Sequence, residues 1–312
     1  MKPFYISLKP FLDHHVLPHP TIWSTIFGNN NPLHVEIGFG NGEYIADLKD
    51  QRPGINYIGF EEYCDRINKT LRKISRTRLN NVRLLRLDAR PGLKFLFAPQ
   101  SIQHVYCLFP PPWPKKSDIR HRLFMPDFLR LVNSRLVAEG SFKIVTDFHP
   151  LADWILEQVP GCGFTVAHKC IKASYNTKFE RKWVEGGQEE FDEIVLTKAE
   201  HFDIPKREEA RVNHYIIEHF NPESFKMAEY SDGDIAVAFK DFLYDMKRER
   251  ALVYVLVHDE HLVQHVRIEI TKDKNVWRVH LAQGVILMPT AGIFKAIECV
   301  RDAAVLTGAQ CP

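Results

Sequence analysis

The 312-residue sequence predicts an α/β protein followed by a smaller α+β region. Short apolar segments rich in β-branched residues alternate with segments of helical spacing, which favours a mainly parallel sheet with helices on both faces. Predicted strands lie near 33–38, 55–60, 82–87, 103–109 and 140–146. Predicted helices lie near 43–50, 64–78, 91–97, 124–137 and 150–159. Two later segments, which begin at Phe164 and Phe191, predict an antiparallel pair at one edge.

The segment 33–42 predicts a ligand site. An apolar strand ends in three glycines at alternate positions, Gly38, Gly40 and Gly42, and a helical segment begins at Glu43. A tight turn of this kind brings backbone N–H groups against a nucleotide-like ligand. The spacing G-x-G-x-G differs from the G-x-G-x-x-G that is typical of dinucleotide sites.

Acidic residues follow three other predicted strands. Glu61 ends the second strand, about 20 residues past the glycines, where such folds place a carboxylate on a ribose diol. Asp88 ends the third strand, and Asp147 ends the fifth. Because open α/β sheets bind ligands at the carboxyl ends of their strands, this pattern indicates a functional edge and not merely a structural turn.

Two loops predict contacts with a second ligand. The fourth strand leads into Pro-Pro-Pro-Trp-Pro at 110–114, a stiff segment that presents Lys115 and Lys116 beside the flat ring of Trp113. A second loop, Thr-Lys-Phe-Glu at 177–180, precedes the last strand of the α/β region. Ten Lys or Arg and one acidic residue lie between 66 and 94, which favours a polyanionic partner.

Composition limits the class of protein. The net charge is +2, and 45% of the residues are hydrophobic, enough for a sizeable core. No segment reaches the ~18 apolar residues of a membrane span, so we expect a soluble, cytoplasmic protein. The six cysteines are scattered and predict neither a disulfide framework nor a zinc site. The histidine pairs His14/His15 and His258/His261 lack a convincing ligand set, and no metal site is expected.

The chain is expected to have three parts. Residues 1–32, with five prolines, predict an arm that packs on the α/β domain of residues 33–204. A charged stretch around Pro205 marks the boundary to a C-terminal α+β domain, residues 205–312. In that domain helical spacing near 206–220 and 234–246 precedes three predicted strands and a helix near 290–305.

Residues 33–198 resemble the bacterial tRNA (guanine-N7-)-methyltransferases. The resemblance depends on five elements in order: Glu-Ile-Gly-Phe-Gly-Asn-Gly at 36–42, Gly-Phe-Glu at 59–61, Asp-Ala at 88–89, Pro-x-Pro-Trp-Pro-Lys-Lys at 110–116 and Thr-Lys-Phe-Glu at 177–180. It implies a Rossmann-like methyltransferase fold with a mainly parallel seven-stranded sheet. It also implies that S-adenosylmethionine is the methyl donor and that guanine 46 in the variable loop of tRNA is the acceptor.

The resemblance also implies roles for individual residues. Those that match cofactor-binding positions are Glu36, Gly38, Gly40, Gly42, Glu61 and Asp88. Those that match substrate-binding positions are Lys115, Asp147, Thr177, Lys178 and Glu180. Of these, Asp147 and Glu180 are the predicted catalytic residues.

One position departs from the family. The family's loop is Pro-Asp-Pro-Trp, with the aspartate regarded as catalytic, and this chain has Pro111 there. Guanine N7 has a free lone pair and no proton, so its methylation needs no general base. Orientation alone can supply roughly 7–11 kcal/mol, and loss of one electrostatic contact typically costs ~10²–10³-fold in rate. We therefore expect turnover to survive at a reduced rate.

The sequence is compatible with three functions. The chain is either an active tRNA methyltransferase, a non-catalytic tRNA-binding protein or a methyltransferase for another acceptor. A nicotinamide dehydrogenase is disfavoured by the glycine spacing. The expected partner is tRNA, with no membrane. The C-terminal domain is a candidate for homo-oligomerisation, for regulation or for clamping tRNA.

Overall fold

A computed structural model describes residues 5–47, 54–77, 79–204, 214–259, 261–284 and 287–308. The chain divides into two compact units, Met1–Ile204 and Pro205–Pro312. No helix in the described part of the chain is both long enough and apolar enough to span a membrane.

The first unit is built on one eight-stranded sheet. Its strands are β1 (Phe11–Leu12), β2 (Leu33–Ile37), β3 (Asn56–Glu61), β4 (Val82–Arg86), β5 (Ile102–Leu108), β6 (Leu136–Thr146), β7 (Phe164–Lys172) and β8 (Glu190–Lys198). The order is β1-β4-β3-β2-β5-β6-β8-β7. All neighbours from β1 to β6 are parallel, and β8 is antiparallel to both β6 and β7. The predicted seven strands and the antiparallel edge are confirmed.

The α-helices of this unit are α1 (Trp23–Phe27), α2 (Glu43–Asp47), α3 (Cys64–Thr77), α4 (Ala89–Leu96), α5 (Pro126–Arg135), α6 (His149–Gln158) and α7 (Lys178–Glu185). Helices α2 to α6 lie at the predicted places. Helix α1 lies in the predicted arm and α7 begins in the segment predicted as a loop, so these two helices were not predicted. The predicted extension of α2 to residue 50 lies outside the described residues. The central strands β2 and β3 are buried along their whole length, as expected of parallel strands covered on both faces. The predicted Rossmann-like architecture is therefore confirmed.

The predicted arm contributes to the sheet and to the core. Strand β1 pairs in parallel with β4 and adds an eighth strand that the sequence did not indicate. Trp23 is buried, donates from its indole nitrogen to the Leu96 carbonyl at 3.1 Å, and stacks on Phe97 at 5.1 Å. These contacts anchor residues before β2 to the helix that follows β4.

In its described residues, the second unit consists of an antiparallel sheet and one α-helix. Its elements are β9 (Tyr215–Ile217), β10 (Tyr230–Asp232), β11 (Ile235–Asp245), β12 (Arg250–Asp259), β13 (Leu262–Asp273), β14 (Val276–Leu281) and α8 (Ala291–Gly308). The strand order is β10-β11-β12-β13-β14-β9. Alternate residues of β12, such as Val253 and Val255, are fully buried and share a core with Ile297 and Val300 of α8.

The helix predicted near 234–246 is wrong, because that segment forms β11. A register shift between Phe239 and Asp241 interrupts the two-residue alternation. The core-facing residues Val237, Phe239 and Phe242 are consequently spaced by two and then three positions, which imitates a helical pattern. The helix predicted near 206–220 is wrong at Tyr215–Ile217, which is a strand, and residues 205–213 lie outside the described residues.

Candidate functional site

Four of the predicted site residues stand at the carboxyl ends of parallel strands in the first unit's sheet. Strands β2 to β6 run parallel, so Gly38, Glu61, Asp88 and Asp147 follow strands that end on the same side. Strand β8 runs the other way, and its first residues return to this edge, where Asp192 is paired with Thr146. The edge therefore combines the ends of five strands, β2 to β6, and the start of β8.

The glycine turn between β2 and α2 depends on the absence of side chains. Gly38, Gly40 and Gly42 have φ angles of 70°, 56° and 69°, a region that other residues rarely adopt. A Cβ on Gly42 would lie 2.4 Å from the Thr70 side chain on α3. The Gly38 N–H donates to the Phe60 carbonyl at 2.9 Å, which fastens the turn to β3.

Glu61 is joined directly to this turn. Its Oε2 accepts a hydrogen bond from the Gly40 N–H at 3.0 Å and lies 3.4 Å from the Arg66 guanidinium. Its Oε1 accepts from the N–H groups of Glu62 and Tyr63 at 3.0 and 3.2 Å. The structure thus brings together a predicted glycine and a predicted carboxylate that are 21 positions apart.

Glu36 lies inside the sheet just before the turn. Its side chain is 2% exposed, and its Oε2 has no hydrogen-bond partner among the described residues. Burial, together with the negative charges of Glu43 and Glu61, raises the pKa of Glu36 to about 8. This carboxyl group is therefore largely protonated at neutral pH.

Asp88 caps the helix that follows β4. Its Oδ1 accepts from the Arg90 N–H at 2.7 Å, and its Oδ2 pairs with the Arg90 guanidinium at 3.2 Å. Burial, with the nearby charges of Asp88 and Glu61, also raises the pKa of Glu62. The carboxylates of Glu61, Glu62 and Asp88 are therefore close enough to influence one another electrostatically.

The proline-rich loop after β5 is held by Arg122. Phe109 and Trp113 have positive φ angles of 56° and 43°, so the loop has a strained backbone at both ends. The buried Arg122 donates to the carbonyls of Pro112 and Trp113, each at 3.2 Å, and lies over the Trp154 ring at 4.8 Å. Lys115 follows this clamp, exposed to solvent and just before a 3-10 helix.

Asp147 follows β6 and is half-buried. Burial raises the pKa of its carboxyl group, an effect that the positive charge of Lys182 on α7 partly opposes. The Gln188 side chain donates to the Asp147 carbonyl at 2.8 Å. The β6 end is thereby tied to the segment between α7 and β8.

Thr177 and Glu180 organise the loop before α7. Thr177 caps this helix by accepting from the Glu180 N–H at 3.1 Å. The Glu180 side chain is buried, and its carboxylate accepts from the N–H groups of Ser174 and Tyr175 at 2.7 and 2.9 Å. Lys178 is exposed on the first turn of α7.

Tyr175 connects this loop to two other elements. Its hydroxyl donates to Glu193 on β8, and its ring lies 5.8 Å from that of Tyr44 on α2. Glu193 also pairs with Lys143 at 3.2 Å and Lys169 at 3.0 Å. Burial alone would raise the pKa of Glu193, but the hydrogen bonds from Tyr175 and the two lysines lower it below its usual value. The loop before α7 therefore touches the helix that follows the glycine turn.

Comparisons with known proteins add to this geometry. A family model described as a putative methyltransferase matches residues 30–193. The tRNA (guanine-N(7)-)-methyltransferase of Chlorobium phaeobacteroides is 40% identical over 171 residues, which are 55% of this chain and 84% of that protein. The chain belongs to the tRNA (guanine-N7-)-methyltransferase family. The enzyme of that name from Bacillus subtilis is 32% identical over 173 residues, which are 53% of this chain and 81% of that protein. The enzyme of that name from Thermotoga maritima is 37% identical over 175 residues, which are 55% of this chain and 56% of that protein.

The family model ends before the second unit of this family member begins. Within the first unit, the structure brings Gly40 into contact with Glu61, whose charge also acts on Glu36, and it brings Thr177 into contact with Glu180. Two residues with evident structural roles were not predicted as site residues, namely Arg122 and Tyr175. Arg122 belongs to a short basic cluster in the sequence with Lys115, Lys116 and Arg120, which was a signal for it, whereas nothing local distinguished Tyr175.

The expectation of no metal site stays a prediction. Asp13, His14 and His15 place one ligand atom each within 4.8 Å of one another. Asp13 Oδ1 accepts a hydrogen bond from the backbone N–H of His15 at 3.0 Å and lies 2.9 Å from the ring nitrogen Nδ1 of the same histidine. This local turn accounts for the proximity of Asp13 and His15 without an ion.

Proposed function

We propose that this chain transfers a methyl group from S-adenosylmethionine to N7 of guanine 46 in the variable loop of tRNA, in the cytoplasm. The observation that carries the proposal is the carboxyl edge of the sheet. The glycine turn, Glu36, Glu61 and the half-buried Asp147 lie at the ends of its strands, and the Thr177–Glu180 loop is held beside it by Tyr175. Family membership supports the same reaction class.

The residues present fit the cofactor. The turn with glycines at 38, 40 and 42 suits the methionine part, and Glu36, two residues before it, has a buried oxygen without a hydrogen-bond partner among the described residues. Glu61 is suited to a ribose diol, which would replace some of its present backbone donors. Asp88 is suited to the adenine amino group. When bound, S-adenosylmethionine supplies a methyl group on a positively charged sulfur.

The protein's contribution to the chemistry is orientation and charge. Guanine N7 attacks through a free lone pair, so no residue has to remove a proton. Holding N7 in line with the methyl group is worth roughly 7–11 kcal/mol. Positive charge develops on the purine, and the Asp147 carboxylate stabilises it while accepting from the guanine N1–H and amino groups.

Glu180 contributes in a different way in this proposal. Its oxygens accept hydrogen bonds from Ser174 and Tyr175, so it positions the loop on which Thr177 and Lys178 stand. The predicted catalytic role of Glu180 stays a prediction, and the geometry supports positioning. Asp147 is the carboxylate with the better access to the purine.

The Pro111 side chain cannot accept a hydrogen bond. The proline-rich loop therefore contributes by the position of its backbone and not by a charged side chain at 111. Arg122 fixes the Pro112 and Trp113 carbonyls and so sets the direction of the loop. A missing electrostatic contact of this kind typically lowers the rate by ~10²–10³-fold. Pro111 also favours the second candidate function, a tRNA-binding protein that has lost its chemistry.

Exposed lysines and arginines account for RNA binding. Lys115 and Lys178 stand on the two loops beside the edge, and Arg72 lies on the exposed side of α3. Phosphate contacts from such residues supply most of the affinity that is independent of sequence. The reacting guanine must leave its stack to reach the edge, which is least costly in a single-stranded or loop region.

The test is methyl transfer from labelled S-adenosylmethionine to an unmodified tRNA transcript. We expect N7-methylguanine at position 46, detected by chain cleavage at the modified base, and none in a transcript with adenine at 46. Binding of cofactor and tRNA without transfer would support the non-catalytic candidate. Transfer to another position or acceptor would contradict the assignment of guanine 46.

A further inference from the structure

A cavity lies in the first unit, away from the carboxyl edge of its sheet. Its volume is about 380 Å³, which is within the range of ligand sites in proteins. Arg83, the second residue of β4, and Asn80, which precedes that strand, lie in its wall. Because the carboxyl end of β4 leads to Asp88, the cavity lies at the opposite, amino edge of the sheet.

The polar side chains that line this cavity suit an anion. Lys9 and Arg83 are cationic, and Ser7 and Ser75 provide hydroxyl groups. None of the described residues in the lining is acidic. The Ser75 hydroxyl accepts from the Ser7 N–H at 3.0 Å, and the Ser7 hydroxyl accepts from the Lys9 N–H at 3.3 Å. Neither hydroxyl donates to a described residue, so both protons are available to a ligand.

Arg83 is the residue that most directly indicates an anion. It is 7% exposed and forms no ion pair with a described residue. Its Nη1 donates to the carbonyls of Asn80 and Val82, and its Nη2 donates to the Ile26 carbonyl. These bonds use three of the five N–H groups of a guanidinium, and Nε donates to no described residue. Since buried charges are usually paired, a buried cation that lines a cavity favours an anionic ligand.

Arg135 provides a comparison within the same unit. It is also buried and has no acidic partner among the described residues. Its Nε and Nη2 donate to the carbonyls of Leu93 and Lys94, and its Nη1 donates to the Ser134 hydroxyl. Each nitrogen of Arg135 therefore has a protein partner, which the Nε of Arg83 lacks among the described residues.

The rest of the cavity wall is largely apolar. Ile74 and Leu79 contribute aliphatic side chains, and Tyr5 contributes an aromatic ring. Guanidinium groups bind phosphate well, and flat bases stack on aromatic side chains. Cations beside an apolar surface therefore suit a phosphate that is attached to a base, as in a nucleotide.

Helix α3 runs from the carboxyl edge to this cavity. It begins at Cys64, just after β3, and Ile74 in the cavity wall lies about 15 Å further along the helix axis. Arg72 and Arg76 are exposed on the same helix. A nucleic-acid backbone that follows α3 from the carboxyl edge passes these arginines before it reaches the cavity.

We propose that the cavity binds the phosphate group of a nucleotide, which pairs with Lys9 and Arg83 while the base lies on the apolar wall. The basic side of α3 indicates that tRNA supplies this phosphate, at a place remote from the reacting guanine. That assignment of the source rests on the proposed function. A free nucleotide has the same chemistry and is the other source that the experiment distinguishes.

Two matched pairs of variants test the charge of the cavity and leave the Arg83 hydrogen bonds intact. Ser75→Glu places a carboxylate in the wall, and Ser75→Gln is its neutral counterpart of similar size. Lys9→Glu and Lys9→Gln form the second pair, at an exposed residue, and provide the same test if Ser75→Glu fails to fold. Lys247→Gln, at an exposed lysine of the second unit, is the control for loss of one positive charge.

The first measurement is binding of an unmodified tRNA transcript to the full chain, by fluorescence anisotropy over a series of salt concentrations. We expect each Glu variant to bind about tenfold more weakly than its Gln counterpart. Lys9→Gln should reduce the slope of log K against log salt by about 0.7–0.9, and Lys247→Gln should leave this slope unchanged.

The second measurement identifies the source of the phosphate. Cytidine 5′-monophosphate and cytidine are titrated calorimetrically into the full chain in the presence of excess S-adenosylhomocysteine. Weaker tRNA binding by Ser75→Glu than by Ser75→Gln assigns the cavity to tRNA. Equal tRNA binding by the two variants assigns it to a free nucleotide, if cytidine 5′-monophosphate binds to Ser75→Gln but not to Ser75→Glu and cytidine binds to neither.

The inference is overturned if the Glu and Gln variants bind tRNA equally and also bind cytidine 5′-monophosphate equally. Failure of the proposed function has a different signature. In that case the wild type transfers no methyl group to the transcript, while the difference in phosphate binding between the Glu and Gln variants persists.

Discussion

Tyr175 donates its hydroxyl hydrogen bond to Glu193, although the two residues belong to a loop and to the strand that returns to the same edge. Glu193 is 5% exposed and is also paired with Lys143 and Lys169. Through its backbone N–H, Tyr175 also holds Glu180. One tyrosine therefore fastens the Thr177–Glu180 loop to the sheet.

Replacing Tyr175 with Phe should loosen this loop while the ring still packs on Tyr44. Loss of a buried hydrogen bond to a charged group costs roughly 1–3 kcal/mol, which lowers the melting temperature. We expect a raised KM for tRNA and an unchanged affinity for S-adenosylhomocysteine. Tyr63→Phe, at a tyrosine that is 61% exposed, is the control and should change neither the melting temperature nor the KM for tRNA. Equal effects of the two variants would exclude a specific role for Tyr175.

Arg122 should matter through the loop that it clamps. Arg122→Met removes the donors to the Pro112 and Trp113 carbonyls, so the proline-rich loop can shift. A displacement of about 1 Å can cost 10²-fold in rate, and we expect kcat to fall by about 10–100-fold with cofactor affinity unchanged. The exposed Arg120, two residues earlier, provides the control variant Arg120→Met. A fall in cofactor affinity that accounts for the whole loss would contradict a positioning role.

Asp147 should set the acid side of the pH–rate profile. Burial raises the pKa of this carboxyl group, so it takes up a proton at a higher pH than an exposed aspartate does. Its protonated form cannot accept from the guanine N1–H, and kcat should therefore fall as the pH is lowered through this pKa. Asp147→Asn should lower kcat by ~10²–10³-fold and remove the acid limb. A variant that keeps the acid limb would assign the titration to another group.

Lys178 should contribute one phosphate contact. Lys178→Gln is expected to weaken binding of all tRNA transcripts similarly and to reduce the slope of log K against log salt by about 0.7–0.9. Fluorescence anisotropy over a series of salt concentrations measures this slope. Lys240→Gln, at an exposed lysine of the second unit, should leave the slope unchanged. An equal reduction there would favour the C-terminal unit as a clamp for tRNA.

The sequence by itself determined the architecture of the first unit and most of its candidate site. Strand formation depends on local apolar segments, and the glycine turn depends on three residues that are close in the chain. Because parallel strands end on one side of a sheet, the sequence alone assigns Glu61, Asp88 and Asp147 to one edge. The five motifs and their order also indicated the family that the comparisons support.

The tertiary structure decided what these local patterns leave open. Arg122 reaches carbonyls ten and nine positions earlier, and Tyr175 meets Glu193 18 positions later, so neither contact follows from local periodicity. The isolated oxygen of Glu36 arises from burial among elements that are distant in sequence. In the second unit, the bulge in β11 gives a strand the spacing of apolar residues that is typical of a helix. Only the pairing with β12 shows which residues of β11 share a face.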